Sequence, residues 1–218
     1  MARVLCLDFD ETIVEGDVTR ALLERFAGRE WHDLEAAHAR GEMSVEEFHV
    51  AAFALVAAAR EELSDFAREA AQPRAGVREL VDWCAGHGWM PVVVSNGFDL
   101  AVNAAMDAIG LDRVARHAGR TRFAYRWRVS YESPRGVEVR DGFQLSYVSA
   151  FRSAGDVVAI VGAACTSMDA CRAADGVFAR DGLFAKLDRS RPELFRWETF
   201  RDLVTVLSAQ PAGWLAAP

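Results

Sequence analysis

Lysine is almost missing from this chain: of its 25 basic side chains only Lys186 is a lysine, and the rest are arginine. Chemistry that needs a buried ammonium must find it at that one position or do without. Long apolar runs are missing too. The longest, such as Val50 to Ala59, fall far short of the roughly 20 residues that span a bilayer, and the opening Met1 to Asp8 has no apolar signal stretch before its first charges. Basic charge is in deficit, 25 residues against 32 acidic ones for a formal net charge of −7. That balance opposes the basic footprint a phosphate backbone or anionic membrane surface demands. The four cysteines, Cys6, Cys84, Cys165 and Cys171, show no Cys-x-x-Cys spacing, so neither a zinc site nor a disulfide framework is indicated. These absences lead us to expect a cytoplasmic protein with a small-molecule partner, no nucleic acid and no membrane, its oligomeric state open.

What is present is a core. With 218 residues and 51% apolar composition, the chain can bury one large domain, or one domain and a small satellite. Val4 to Leu7 is an apolar run of strand length that stops at Asp8-Phe-Asp-Glu-Thr12, as a buried parallel strand would. From Asp17 to about Ala71 the apolar period becomes helical, with Ser44 and Glu47 resembling a capping box. After Pro73 strands and helices alternate: a helix over Val77 to His87, a strand over Met90 to Val94 with Ser95-Asn-Gly97 as its loop, and a helix over Asp99 to Ile109. Aromatics and arginines then alternate from Arg122 to Tyr131, turn at Ser133 to Gly136 and return through Val137 and Val139, which predicts a hairpin. A helix over Leu145 to Arg152, a strand over Val157 to Val161, a helix over Ser167 to Ala174, a short strand at Val177 to Ala179 and a helix over Thr199 to Leu207 complete the pattern. The fold class is α/β, a doubly wound parallel sheet with a small all-helical cap inserted after the first strand. The expected division is 1–15 and 72–209 for the core, its hairpin at about 120–142, 16–71 for the cap, and a frayed tail at 210–218.

Ligands of such sheets sit at the carboxyl ends of the strands. Asp8 and Asp10, two carboxylates on one tight loop there, suit a nucleophile and a general acid and base. The hydroxyl of Ser95 and the amides of Asn96 and Gly97 suit an anionic oxygen. The remaining candidates have plainer roles. The arginines of the hairpin fit a solvated strand face, Cys165 fits a packing position, and Arg180 with Asp181 fits a tie between the sheet edge and the next helix. Trp31, Phe48, Phe53 and Phe66 fit the insert's own core, with one or two available to line the cleft, and the five histidines fit surface or helix-packing positions.

The stretch Asp8-Phe-Asp-Glu-Thr-Ile13 resembles the first motif of the haloacid dehalogenase superfamily, with Glu11 where glycine is commonest. Gly41 to Ser44, Val93 to Gly97, Ala173 to Asp181 and Trp197 to Asp202 are similar, in order, to segments of its phosphoserine-phosphatase-like branch, especially the 2-hydroxy-3-keto-5-methylthiopentenyl-1-phosphate phosphatases. The resemblance implies Asp8 as the nucleophile, Asp10 as acid and base, Thr12 as support of the loop, and Ser95 and Asn96 as holders of the phosphoryl oxygens. It also implies a lysine that here falls at Gln144, and two magnesium-binding acids that here fall at Ala163 and Ser167 in the loop Gly162-Ala-Ala-Cys-Thr-Ser167. One cation and two metal-binding anions are thus replaced together, within a loop that includes Ala164 and Cys165. Magnesium is expected to bind weakly at Asp8 and Asp10 if at all, and no other cofactor is expected. Three functions remain open: metal-independent acid/base or nucleophilic chemistry on a small molecule, a slow or modified phosphomonoesterase, and a binding or regulatory protein without catalysis.

Overall fold

A computed structural model describes residues 1–163, 168–190 and 193–210. The residues at the centre of the sheet are apolar without interruption, and the structure explains why. Strand β1 (Arg3–Leu7) lies between β2 (Trp89–Phe98) and β5 (Val157–Gly162), parallel to both. Val4 to Leu7 and Val157 to Val161 are covered on both faces, which leaves no polar positions to alternate. Outside them lie β3 (Ala115–Ala124) next to β2, and β6 (Gly176–Ala179) then β7 (Leu194–Arg196) next to β5. The antiparallel β4 (Arg126–Ser130) closes one edge, so the seven-stranded order is β4-β3-β2-β1-β5-β6-β7. The order reverses direction at β1, and the carboxyl ends of β1, β2 and β5 meet there.

Four helices follow β1 before the chain returns to the sheet: α1 (Val18–Phe26), α2 (Trp31–Ala39), α3 (Val45–Phe53) and α4 (Arg60–Ala70). Asp17 caps α1 by accepting from the Arg20 N–H at 2.7 Å. Ser44 and Glu47 form the expected capping box on α3, each bond 3.0 Å long. Phe53 lies tilted against Phe98, ring centroids 4.1 Å apart, and meets Trp127 edge-on at 5.3 Å, so it joins this helical group to the sheet instead of serving the group's own core. Phe48 borders the cleft. The remaining helices, α5 (Val77–His87), α6 (Asp99–Ala108), α7 (Phe143–Ser153), α8 (Met168–Ala173), α9 (Asp181–Lys186) and α10 (Phe200–Ala209), cover the sheet. Among the described residues no helix is long and apolar enough to cross a membrane.

Two expectations change. Ser95-Asn-Gly97 is not a loop after β2 but extended backbone inside it, with the β2–β3 register broken between Val94 and Phe98. The hairpin's first turn falls at Tyr125, not at Ser133 to Gly136. Tyr125 adopts a left-handed φ of 63° without glycine, and the aromatic–arginine alternation keeps its phase through the turn, so the sequence carries no mark of it. The turn at Ser133 to Gly136 also exists, closed by the Gly136 N–H to the Ser133 carbonyl at 2.8 Å, and folds a third short segment back onto Tyr131 and Glu132. Arg180 does tie the sheet edge: it pairs with Asp181 at 2.6 Å and donates to the Glu198 carbonyl at 3.1 Å. The tail beyond residue 210 lies outside the described residues.

Candidate functional site

The loop after β1, Phe9–Ile13, is closed by the Val14 N–H donating to the Phe9 carbonyl at 3.3 Å, and it brings Asp8 and Asp10 to one cavity. Asp8 is buried, and its Oδ1 accepts from the Phe9 N–H at 2.8 Å and from Gln144 Nε2 at 3.1 Å. Burial lifts its carboxyl from 3.8 to about 7, helped by the negative charges of Asp17 and Glu11 and opposed by the two hydrogen bonds. Asp10 reaches forward to the first turn of α1. Its Oδ1 accepts from the N–H groups of Val18 (2.7 Å) and Thr19 (3.2 Å), and its Oδ2 accepts from the Thr19 hydroxyl at 2.6 Å. Burial and then the charge of Asp17 hold Asp10 well above the ordinary carboxylate range, against the pull of the Thr19 bonds. The turn requires Glu11 to adopt φ 56°, ψ 0°, which accounts for the usual glycine there. A non-glycine residue in that region costs on the order of 1 kcal/mol.

The cavity measures about 190 Å³ and is bordered by Asp8, Asp10, Ser95, Asn96 and Gly97, with Phe48 and His49 from α3 opposite. Ser95 Oγ accepts from the Gly97 N–H at 2.9 Å, which leaves its own proton for a ligand. Asn96 is turned differently: its Nδ2 donates to Glu46 Oε1 at 3.0 Å, and its carbonyl receives Tyr131 Oη and His49 Nδ1, the latter at 2.7 Å. Burial pushes His49 down to about 4, so its ring is neutral at pH 7 and donates through Nδ1. Gly97 is a site of close approach. A Cβ there would stand 2.5 Å from Thr19 Oγ1 and 3.2 Å from Asp10 Oδ2. Gly97→Ala is therefore expected to push Thr19 off Asp10 and to cost about 1–3 kcal/mol in urea unfolding. Unchanged stability would show that α1 and β2 do not approach so closely.

The structure gathers Asp8, Asp10, Ser95, Asn96 and Gly97 as the sequence suggests, and it seats Gln144 against Asp8 and the Val94 carbonyl (2.9 Å). Thr12, the residue expected to support the loop, does not reach the cavity as an anion-binding group. It is fully buried beneath the loop, outside the cavity lining, with its carbonyl taken by Arg74 Nε at 2.9 Å. Ala163 is buried at the end of β5, its carbonyl accepting from Leu183 at 3.1 Å. Ala164, Cys165 and Ser167 lie outside the described residues. Sequence reasoning missed Glu46, His49, Asp17 and Thr19. Glu46 reads as an ordinary acid in a helix's first turn and His49 as a packing residue, so only the docking of α3 on β2 reveals either.

Comparison with known proteins places this geometry. A chain of Geobacillus thermodenitrificans (strain NG80-2) described as 2-hydroxy-3-keto-5-methylthiopentenyl-1-phosphate phosphatase is 35% identical over 107 residues, 49% of each chain, and one from Exiguobacterium sp. (strain ATCC BAA-1283 / AT1b) is 33% identical over 105 residues, 48% of each. The aligned region spans about half the length of these relatives. Among solved structures, a substrate-bound phosphoserine phosphatase matches with TM-score 0.70 at 17% identity, over 94% of this chain and 98% of that one. The phosphoserine phosphatase from T. onnurineus also matches with TM-score 0.70 at 17% identity, over 97% and 96%. At such identity these structures show the fold alone. The family model for haloacid dehalogenase-like hydrolases matches residues 5–162, most of the chain and the whole of the loop, β2 and β5 framework just described. This chain belongs to the haloacid dehalogenase-like hydrolases.

Proposed function

We propose that the protein is a hydrolase that uses Asp8 as nucleophile and Asp10 as general acid and base on a small molecule of low negative charge, without a resident divalent metal. The carrying observation is the contact between Gln144 and Asp8: a neutral amide stands against the nucleophile at the position where the resemblance implies a lysine. Attack on a phosphate dianion without that cation meets uncompensated repulsion, and phosphoryl transfer depends almost wholly on such stabilisation. The donors for magnesium do not fit either. The side chain of Ala163 offers no oxygen, the sequence from Gly162 to Met168 contains no acid, and the described residues contain no cluster of three His, Cys, Asp or Glu side chains able to hold a metal ion. No step is therefore routed through a metal.

In the proposed reaction the ionised Asp8 attacks an acyl carbon, the bond to the leaving group breaks as Asp10 protonates it, and water deprotonated by Asp10 then hydrolyses the acyl-Asp8 intermediate, freeing the acid product and Asp8. Both carboxyls are raised above the ordinary carboxylate range by burial, which suits a nucleophile and a proton donor that work near neutrality. An alternative, supported by the names of the matched relatives, is a slow phosphomonoesterase acting on a small phosphorylated metabolite. A substrate panel of small esters, amides and phosphomonoesters, assayed with EDTA and with magnesium from pH 5 to 9, separates the two. Turnover that survives EDTA and rises as pH passes through about 7, where Asp8 becomes ionised, is the expected result. Brisk hydrolysis of phosphomonoesters that collapses in EDTA would overturn the proposal.

A further inference from the structure

The ribbon formed by the end of β3 and by β4 carries a charge pattern of its own. From Arg120 to Ser130 it contains four arginines and no acid, within a chain of formal net charge −7. The register sets Arg122 directly opposite Arg128, Arg120 opposite Ser130 and Ala124 opposite Arg126. Because successive side chains alternate between faces, all four arginines stand on one face, and all four are exposed. On the other face Thr121, Trp127 and Val129 are buried against the protein. Arg120 reaches Glu132 at 3.8 Å, whereas Arg122, Arg126 and Arg128 have no ion pair among the described residues. Like charges directly opposite on a sheet repel, so the arrangement does not stabilise the ribbon itself.

The end of the ribbon is apolar. Tyr125 makes the turn with φ 63° and is fully exposed, and Phe123 beside it is 60% exposed. A groove of about 600 Å³ lies between the ribbon and the start of α4, bordered by Val56, Ala58, Phe123 and Trp127. Arg60 lies over the Trp127 ring at 5.4 Å and adds a fifth guanidinium at the rim, with Glu62 as the acid there. Exposed rings flanked by guanidinium groups suit the headgroup layer of an anionic bilayer, where rings settle among the headgroups and arginines pair with phosphates and carboxylates. At physiological ionic strength charges act over about 8 Å, so acids elsewhere on the chain do not cancel the attraction. A single-stranded nucleic acid fits less well. It needs a cationic groove along its backbone, and here Glu62 at the groove and Glu132 at the ribbon's base close the patch.

We propose that this ribbon is a peripheral docking surface for an anionic lipid bilayer, with Tyr125 and Phe123 entering the headgroup layer and Arg122, Arg126 and Arg128 pairing with its anionic groups. The net charge of the chain averages the patch away, so composition gives no sign of it. The surface is separate from the cavity of Asp8 and Asp10, and the proposal does not depend on the reaction assigned there.

The test is cosedimentation of the full chain with lipid vesicles at about 0.15 M salt. Vesicles of mixed phosphatidylcholine and phosphatidylserine are expected to carry the protein down, and vesicles of phosphatidylcholine alone to leave it in solution. The combined variant Arg122→Gln, Arg126→Gln and Arg128→Gln should bind the mixed vesicles on the order of 100-fold more weakly. Tyr125→Gly removes the ring without straining the turn, because glycine adopts a positive φ freely, so Tm should not fall while binding weakens about tenfold. Equal binding to both kinds of vesicle, binding to neither, or undiminished binding by either variant would each overturn the proposal. So would tighter binding to a single-stranded RNA oligonucleotide than to the mixed vesicles, which would assign the ribbon to nucleic acid. Should the arginine variant not fold, the unaltered protein decides: release from the mixed vesicles at about 1 M salt supports the proposal, and retention there sinks it.

Discussion

Asp8→Asn is expected to abolish turnover and, in the same protein, to increase stability above neutral pH. The first effect follows from chemistry: an amide cannot serve as the attacking carboxylate, and losing a nucleophile costs 10³-fold or more in rate. The second follows from burial. A carboxyl held at about 7 in the fold and near 3.8 unfolded favours the native state when protonated, so the unaltered protein loses stability as pH rises from about 4 through about 7 and levels off beyond. Holding that ionised group in the fold costs on the order of 4 kcal/mol well above pH 7. Asparagine removes the charge while its oxygen can keep the bonds from Phe9 and Gln144, so Tm at pH 8 should rise by roughly 10 °C and part of the pH slope should disappear. Asp10 and Asp17 retain their share of that slope, because both are raised in the same direction. Full activity in Asp8→Asn would place the chemistry elsewhere, and an unchanged pH dependence of unfolding would show that Asp8 is not held protonated by its surroundings.

The combined variant Gln144→Lys, Ala163→Asp and Ser167→Asp is expected to acquire magnesium-stimulated hydrolysis of an aryl phosphate, by on the order of 10³-fold over the unaltered protein. Gln144 Nε2 already touches Asp8 Oδ1 at 3.1 Å, so an ammonium there would lie against the nucleophile and stabilise its ionised form. Ala163 stands at the carboxyl end of β5, beside the strand that delivers Asp8, and an acid there would enter the same polar centre. Ser167 lies outside the described residues, and its inclusion rests on the spacing of the sequence alone. Gln144→Lys by itself should gain little, since it adds a cation without a metal site. No gain in the triple variant would mean that these replacements are not what limits phosphoryl transfer.

The centre of the fold was legible because its strands are buried on both faces, and such strands must be apolar at every position from Val4 to Leu7 and from Val157 to Val161. The capping box at Ser44 was legible because it is a local bond between residues three apart. The turn at Tyr125 was not, since a tyrosine there gives no composition signal and the alternation runs straight through it. Ser95 to Gly97 was misread as a loop for a related reason: polar residues at a strand end look alike whether the backbone stays extended or leaves the sheet.

Sequence alone determined the α/β class, the pair Asp8 and Asp10 on one short stretch, and the presence of a single lysine at Lys186, because each depends on residue identity and order along the chain. Only the tertiary structure decided that Gln144 reaches Asp8, that Thr12 is sealed away, and that Glu46 and His49 of α3 close on Asn96 of β2. Those contacts join residues tens of positions apart, and no local pattern encodes a meeting created by packing helices onto a sheet.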